Sequence, residues 1–342
     1  LYQFDVTFVC EDPELKLEEW LQLPVCLTLH HNNQNKIEYT PRYGHGIIES
    51  IEQLNTSFRY STYRLSLVPI FSLLTYRTNF QVFQHKTVPD IIAEIYQQAG
   101  ILTNHFDIEL FNAHEPREYC VQYGESDLDF VQRLMSEEGI ISYFEHTDTG
   151  SKLIISDGPE IHTELAPLCV VANNGMTKDS NTITSLIKKQ KVNTGKVSVK
   201  DYNFETPTRS PIGKSQNDDQ GECVSELALE HYQYPSNQLS SEKATKYASL
   251  RLKQQRTGTV ELLGESDCAQ LTAGYFQPIQ EHPNPEWNDI WLLTHVTHSG
   301  RQPQVLEELA DGGSEYHASF SCTPWMMPFK AIQKPKPLIH NV

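Results

Sequence analysis

Residues 119–146, YCVQYGESDLDFVQRLMSEEGIISYFEH, constrain the fold most, because they join a strand, a capped helix and a second strand with almost no residues to spare. Tyr119, Val121 and Tyr123 fall on one face of an alternating pattern, which is typical of a half-buried strand. Ile140 begins a second strand after the helix. Any fold of this chain must therefore accommodate a compact strand–helix–strand element.

The helix of this segment is marked at both ends. Ser126 followed by Asp129 predicts a capping box, and Asp127 adds negative charge to the first turn, where the helix dipole favours it. Gly139 is placed to supply the left-handed residue that ends the helix. Between these signals, apolar residues recur at helical spacing at Leu128, Val131, Leu134 and Met135.

Ser126 is also the residue on which a serine hydrolase would depend, since it stands between a strand and a helix in Gly124-Glu-Ser-Asp-Leu128. The nucleophile elbow of such enzymes is G-x-S-x-G, and Leu128 occupies the position of the second glycine. A helix cap would instead use the serine oxygen to accept backbone N–H bonds. We favour the cap, and a hydrolase using Ser126 is the alternative from a different class.

Histidines offer the most tempting metal ligands. His295 and His298 lie three residues apart in a strand-like run, so their side chains should point to opposite faces and could not share an ion without a bulge. The adjacent pair His30 and His31 fails for the same reason, and His282 beside a proline is typical of a turn. No P-loop, G-x-G-x-x-G or H-E-x-x-H is present. We therefore predict no catalytic, cofactor-binding or metal-binding residues.

Glu137 and Glu138 are paired acids in the last turn of the predicted helix, where carboxylates oppose the dipole. As sequence neighbours they diverge in direction, which argues against a general acid/base pair. Two interpretations remain open: a solvated helix end, or an ion pair with Arg133 or with a neighbouring subunit.

Charge and cysteine content exclude several classes of protein. Forty-four acidic and 27 basic residues give a net charge of −17, which disfavours nucleic acid as a partner. The short basic run of Lys188, Lys189 and Lys191 is typical of a solvated strand edge. Seven scattered cysteines without a C-x-x-C pair favour reduced thiols in the cytosol. No apolar run is long enough to span a membrane, and we expect no signal peptide before the first strand.

The rest of the chain is mainly extended. Capped helical patterns occur at residues 87–100 and 241–256, and residues 206–221 are predicted to be a long loop. Residues 324–342 carry four prolines, which predicts a linker leaving the fold. Strand patterns occur at residues 2–10, 25–29, 46–54, 60–69, 152–156, 182–190, 196–202, 259–263, 290–298 and 316–322.

Several of these tracts together resemble one family. The segment 119–146 is similar to a signature of the VgrG family, the spike proteins of the bacterial type VI secretion system, whose N-terminal part resembles the baseplate hub of contractile-tailed phages. The resemblance extends over nearly the whole chain. Its other motifs are RLSLVPIFSLLTYRTNFQVF at 64–83, VKDYNFETP at 199–207, HYQYP at 231–235, residues 264–276, and WLLTHVTH at 291–298.

The resemblance implies a mainly β, α+β fold with two antiparallel β-barrels and α/β insertions. We expect the first barrel at residues 1–85, α/β regions at 86–171 and 201–257, and the second barrel at 172–200 and 258–328. Residues 329–342 are then a linker toward an OB-type domain that is absent from this chain. In the family, a triple-stranded β-helix follows that domain.

The resemblance also implies a structural role without catalysis or cofactors. Three copies would form a homotrimeric, pseudo-sixfold ring that joins the hexameric Hcp tube to the puncturing needle. Tip-capping and effector proteins would bind through the absent C-terminal part. Assembly in the bacterial cytoplasm would precede secretion or injection into a target cell. The alternative in the same class is the tail baseplate hub of a contractile phage.

Overall fold

The computed structural model describes residues 1–30, 41–56, 59–158, 162–171, 181–204, 206–208, 210–217, 228–236, 240–302, 315–327 and 329–337. The chain divides into two compact units. Unit 1 comprises Leu1–Glu138, Ser142–Gly158 and the segment from Pro335, and unit 2 comprises Gly139–Ile141 and Pro159–Lys334.

Unit 1 begins with a four-stranded antiparallel sheet. Its strands are β1 (Phe4–Cys10), β2 (Pro24–Leu29), β3 (Arg42–Thr56) and β4 (Ser61–Val68), in the order β1-β4-β3-β2. The long strand β3 is bulged at two places against β4, and bulges of this kind curl a sheet. Ile48, Leu65 and Leu67 form the core on its inner face, with Phe4, Val25 and Leu27 packed around them.

The remainder of unit 1 is mixed α/β. Strands β5 (Thr78–Lys86) and β7 (Arg117–Ser126) pair with each other, and β6 (Phe106–Glu109), β9 (Ser151–Ser156) and β8 (Ile141–His146) form a three-stranded sheet in that order. The helices are α1 (Val88–Gln98) and α2 (Asp127–Glu138). The capping box predicted for α1 is confirmed: Thr87 accepts from the N–H of Asp90, and the Asp90 carboxylate accepts from the N–H of Thr87.

The strand–helix–strand prediction for residues 119–146 is confirmed as β7, α2 and β8. Gly139 has the positive φ of 71° that a helix-ending glycine needs. The two strands do not pair, however, because β7 belongs to the two-stranded sheet and β8 to the three-stranded one. The segment therefore connects two separate sheets.

Unit 2 contains a closed barrel. Around the barrel, its strands follow the order β10 (Leu168–Val170), β11 (Thr182–Gln190), β15 (Val260–Ser266), β18 (Glu315–Pro324), β17 (Ile290–Arg301) and β16 (Phe276–Gln280). The short strand β10 closes the barrel through parallel pairs with β11 and β16, and the other pairs are antiparallel.

The second part of unit 2 is a small sheet covered by a helix. Strands β12 (Lys196–Lys200), β13 (Ile212–Gln216) and β14 (Glu230–Gln233) lie in the order β13-β12-β14, and α3 (Ser241–Arg256) packs on them. The core of this part consists of Val197, Val199, Ala244, Ala248 and Leu252.

Two stretches of unit 2 bear on the sequence analysis. Residues 196–200, which lie in the range expected for the second barrel, pair with β13 and β14 in the small sheet. The long loop predicted at residues 206–221 contains β13. The sequence of β13 is polar and does not show the alternation of a strand, and the strand is stabilised by pairing with β12. Gly213 makes this packing possible, because a Cβ there would lie 2.1 Å from the backbone of Ala244.

Lys330 and Gln333 in the tail are joined to the rest of unit 2 by hydrogen bonds. The backbone oxygen of Lys330 accepts a hydrogen bond from the Thr257 hydroxyl at 3.0 Å, and the Lys330 ammonium donates to the Gly139 carbonyl at 2.7 Å. Further along, Tyr247 donates to the Gln333 side chain at 3.1 Å. Within the described ranges, no helix is long and apolar enough to cross a membrane.

Candidate functional site

In unit 1, β5 and β7 form a two-stranded ribbon with one buried and one exposed face. The strands are antiparallel, with Phe80 opposite Tyr123 and Val82 opposite Val121. The inner face of the ribbon carries the buried side chains of Phe83, Cys120 and Gln122. Phe83 stacks on Phe130 of α2, with ring centroids 5.7 Å apart, so the inner face has its packing partner.

The outer face of the ribbon comprises Thr78, Phe80, Val82, Gln84, Tyr119, Val121 and Tyr123. Its five large apolar residues are strongly exposed, with exposed fractions of 68% for Phe80, 60% for Val82, 62% for Tyr119, 44% for Val121 and 40% for Tyr123. Scattered apolar residues are normal on a protein surface, but a contiguous set of this kind marks an interaction site.

Gly124 shapes the end of the ribbon. The register shifts between Asn79 and Phe80, so Gly124 is the extra residue of a bulge, and its φ of 63° suits glycine. A Cβ at this position would lie 3.2 Å from the Phe80 ring. The tetrapeptide GESD occurs at residues 124–127 and again at 264–267. Gly264, in the second copy, serves a different purpose, because it makes room in the barrel for the Phe320 ring. The two copies therefore have no common structural role.

An ion-pair cluster of Arg117, Glu125, Arg133, Glu137 and Glu138 attaches the ribbon to α2. Arg117 donates to Glu137 at 2.6 Å and to Glu138 at 2.5 Å. Arg133 donates to Glu125 at 2.5 Å and to Glu137 at 3.0 Å. Because Arg117 and Glu125 lie near opposite ends of β7, the strand is held to the helix at both ends.

The cluster resolves the two interpretations of the paired acids in favour of ion pairs. Burial alone raises the pKa of Glu137, but the charges of Arg117, Lys336 and Arg133 outweigh it and hold that pKa below its usual range. The pKa of Arg117 is raised for the reciprocal reason, since Glu137 and Glu138 outweigh its burial. Removing one partner of a buried pair costs about 3–5 kcal/mol, so the cluster resists separation of strand and helix.

His114 extends the cluster. Its side chain is buried between two carboxylates, with Nδ1 3.3 Å from Glu138 and Nε2 3.2 Å from Asp157. The hydrogen bond to Glu138 raises the pKa of His114, against the opposing effect of burial. Asp157 also accepts from the backbone N–H groups of Phe111 and Asn112. The loop before β7 is thereby anchored to the end of β9.

The start of α2 is fixed by a second set of contacts. The buried carboxylate of Asp127 pairs with Arg77 at 2.9 Å and accepts from Gln122 at 2.8 Å. Arg77 also donates to the carbonyl of Gln98 at the end of α1. Ribbon, α1 and α2 are therefore connected by polar contacts beneath the exposed outer face.

Ser126 has the contacts of a helix cap, as predicted. Its hydroxyl accepts from the N–H of Asp129 at 3.1 Å and donates to the Asp129 carboxylate at 2.8 Å. Both bonds restrain the oxygen that a hydrolase would need as a nucleophile. The geometry favours a structural role for this serine.

The histidines singled out in the sequence are not brought together. On β17, His295 is exposed and bonds Thr297 at 3.1 Å, whereas His298 bonds Tyr316 and the Leu271 carbonyl. His282 lies in a turn, where it stacks on Trp287. His30 lies at the end of β2, and His31 falls outside the described residues. In the part of the chain that the structure describes, no group of three or more His, Cys, Asp or Glu residues could hold a metal ion.

The remaining candidate groups have ordinary structural contacts. Of the basic run, Lys188 lies 3.7 Å from Glu286, which is an ion pair on the surface of the barrel. Six of the seven cysteines are described and all six are free thiols. Cys223 lies outside the described residues.

Sequence reasoning missed β5 and therefore the outer face. The signal was present, because Phe80 and Val82 alternate with polar residues in the same way as Tyr119, Val121 and Tyr123. Exposed and buried apolar alternation look alike in a sequence. The structure distinguishes them by placing α2 under only one face.

A closed barrel and a curled sheet connected by α/β elements define a class of tail-hub and spike proteins. The solved E. coli c3393 protein, described as a type VI secretion component with structural similarity to T4 tail proteins gp27 and gp5, matches with a TM-score of 0.70 at 20% identity, over 99% of this chain and 74% of that one. A 43 kDa tail protein of prophage MuSo2 from Shewanella oneidensis matches with a TM-score of 0.60 at 11% identity, covering 96% and 91%. These similarities establish the fold.

The chain belongs to the phage tail baseplate hub (GPD) family, which matches residues 1–304. Among its relatives, the type VI secretion system spike protein VgrG4b of Pseudomonas aeruginosa is 34% identical over 99% of this chain. The resemblance to VgrG proteins predicted from the sequence is thus confirmed. The chain spans 42% of the length of VgrG4b.

Proposed function

We propose that this protein is a structural hub and spike component of a type VI secretion system. Three copies form a pseudo-sixfold ring that joins the hexameric Hcp tube to the puncturing needle. The role is mechanical and needs no catalysis or cofactor. Assembly in the bacterial cytoplasm precedes secretion or injection, and tip-capping or effector proteins bind through a C-terminal part like that of the longer relatives.

One observation carries this proposal: a single chain contains two β modules, the curled sheet of unit 1 and the closed barrel of unit 2. Three chains therefore supply six β modules, which is the number needed to match a sixfold tube. A closed ring with this stoichiometry satisfies cyclic symmetry. The similarity to VgrG4b over almost the whole chain supports the same role.

Sedimentation equilibrium tests the oligomeric state. We expect a trimer, or a monomer that becomes trimeric when the chain is joined to the β-helical part of a VgrG relative. A joined chain that stays monomeric at all concentrations would refute the ring. Electron microscopy of the trimer mixed with Hcp hexamers should then show stacked rings, and particles that never stack would refute docking to the tube.

A contractile-phage tail hub is the second candidate, because the family match and the prophage tail structure favour the same architecture. The two roles differ in the tube that they bind. Parallel binding measurements with Hcp and with a phage tail-tube protein decide between them. Selective binding to the phage tube would overturn the secretion-system assignment and leave the hub role intact.

A further inference from the structure

We propose that the outer face of the β5/β7 ribbon is the surface by which one copy of this chain binds a second copy, at a surface of that copy outside its own ribbon. The inference rests on the proposed ring for the identity of the partner. It adds the residues that make the contact: Phe80, Val82, Tyr119, Val121 and Tyr123.

The exposed apolar area is a substantial part of what such an interface needs. Aromatic side chains present about 150–250 Å² each, so the exposed fractions of Phe80, Tyr119 and Tyr123 amount to about 350 Å². Val82 and Val121 enlarge the patch. A stable interface takes about 800 Å² from each partner, so the outer face supplies close to half of one side.

The absence of charge on this face suits a second copy in particular. All seven outer-face residues are uncharged, whereas the chain as a whole has a net charge of −17. Two such chains repel each other through most of their surfaces, and a neutral, aromatic face lets them meet without burying like charges. Interface cores are typically rich in Tyr and Phe and poor in charged residues.

The face is also held rigid before binding. Arg117 and Glu125 attach β7 to α2 at both ends, and Phe83 packs β5 against the same helix. A surface that is already ordered loses little conformational entropy on association. The ion-pair cluster therefore has a purpose beyond the stability of unit 1, because it presents the aromatic residues in one arrangement.

A threefold ring determines which kind of contact the outer face can make. Cyclic trimers use head-to-tail interfaces, so the outer face of one copy must bind a different surface of the next copy. A ribbon-to-ribbon contact would instead give a twofold dimer. The position of the contact on the partner therefore distinguishes a ring contact from a twofold dimer contact.

Photo-crosslinking in the trimeric form of the protein tests the proposal. Benzoylphenylalanine replaces Val121 on the outer face or, as a control, the exposed Val192 of unit 2. We expect irradiation to link copies of the chain through position 121, to a partner peptide outside the ribbon, and to leave position 192 unlinked. A trimer without crosslinks at 121, or with ribbon-to-ribbon crosslinks, would overturn the proposal while the ring itself stands.

Substitution provides a second readout. Tyr119→Thr with Val121→Thr keeps residues that favour strands but removes the large apolar groups, and we expect association to weaken about tenfold or more. The control is Leu102→Thr with Val192→Thr, which removes two exposed apolar side chains elsewhere. Circular dichroism checks that both variants remain folded. Equal association of variant and control would overturn the proposal, as would crosslinks at 121 that form only when tube protein is added.

Discussion

Arg117, the first residue of β7, donates to Glu137 in the last turn of α2 at 2.6 Å. Arg133, one turn earlier in α2, donates to the same carboxylate at 3.0 Å, so this buried acid pairs with one arginine of the strand and one of its own helix. Carboxylates at a helix C-terminus oppose the dipole, and in this helix the arginines offset that cost. The arrangement makes the cluster a determinant of both stability and surface shape.

Replacing Arg117 by Met should destabilise the protein by about 3 kcal/mol, because it leaves Glu137 and Glu138 short of a buried counter-charge. Urea unfolding measures the change. Lys16→Met is the matched control, since its pair with Glu19 is largely exposed and should contribute less than about 1 kcal/mol. A similar loss of unfolding free energy in both variants would show that the buried cluster contributes no more than an exposed ion pair.

His114 should stabilise the protein in a pH-dependent way. Its pKa is raised above the ordinary value of 6.5, so the folded state holds a proton that the unfolded state releases first. The contribution is complete below pH 6.5 and is lost as pH rises through the raised pKa. The advantage of the native protein over His114→Gln should therefore shrink on going from pH 6 to about pH 9. An advantage that is constant across this range would contradict the ion-pair geometry.

His146 should have the opposite dependence. Burial, with Arg42 and His45 nearby, lowers its pKa from 6.5 to about 4. Its neutral ring accepts the N–H of His45 at 3.3 Å, which a protonated Nδ1 could not do. The stabilisation is present above pH 6.5 and is lost as pH falls toward 4. His146→Phe should reduce the fall in the free energy of unfolding over this pH interval, as measured by urea unfolding at each pH. If the variant loses stability as steeply as the native protein, other groups cause the acid sensitivity.

Gly264→Ala should destabilise the barrel by about 2 kcal/mol, because the added Cβ would lie 2.3 Å from the Phe320 ring and overpack the core. Gly300→Ala is the control, since a Cβ there meets nothing closer than 3.5 Å. Phe320→Leu in the Gly264→Ala background should recover part of the loss in thermal unfolding. If Gly264→Ala behaves like Gly300→Ala, the close approach of residues 264 and 320 is wrong.

Ser126→Ala should cost about 1 kcal/mol through loss of the α2 cap, and Ser126→Asp should retain most of that stability. Chemical denaturation provides the comparison. Screening of all three proteins with ester substrates tests the hydrolase alternative at the same time. Hydrolysis by the native protein that disappears in both variants would make Ser126 a nucleophile and refute its assignment as a purely structural cap.

Local elements of this fold were readable from the sequence because their signals are short-range. The capping box at Thr87, the cap at Ser126 and the glycine at 139 depend on residues within one helical turn, and the structure places α1 and α2 where those signals predict. Strand β13 could not be predicted, because its polar residues do not alternate like a strand and its stability depends on packing against β12 and α3. The domain boundaries drawn from the sequence remain predictions.

The sequence by itself determined that residues 119–146 form a strand, a capped helix and a strand, since alternation and capping act between near neighbours. Only the tertiary structure decided that β7 pairs with β5, that Glu137 meets Arg117, and that the face bearing Tyr119 is exposed. These outcomes depend on contacts between residues far apart in the chain. The physical reason is that alternation creates two faces but does not specify which one the helix covers.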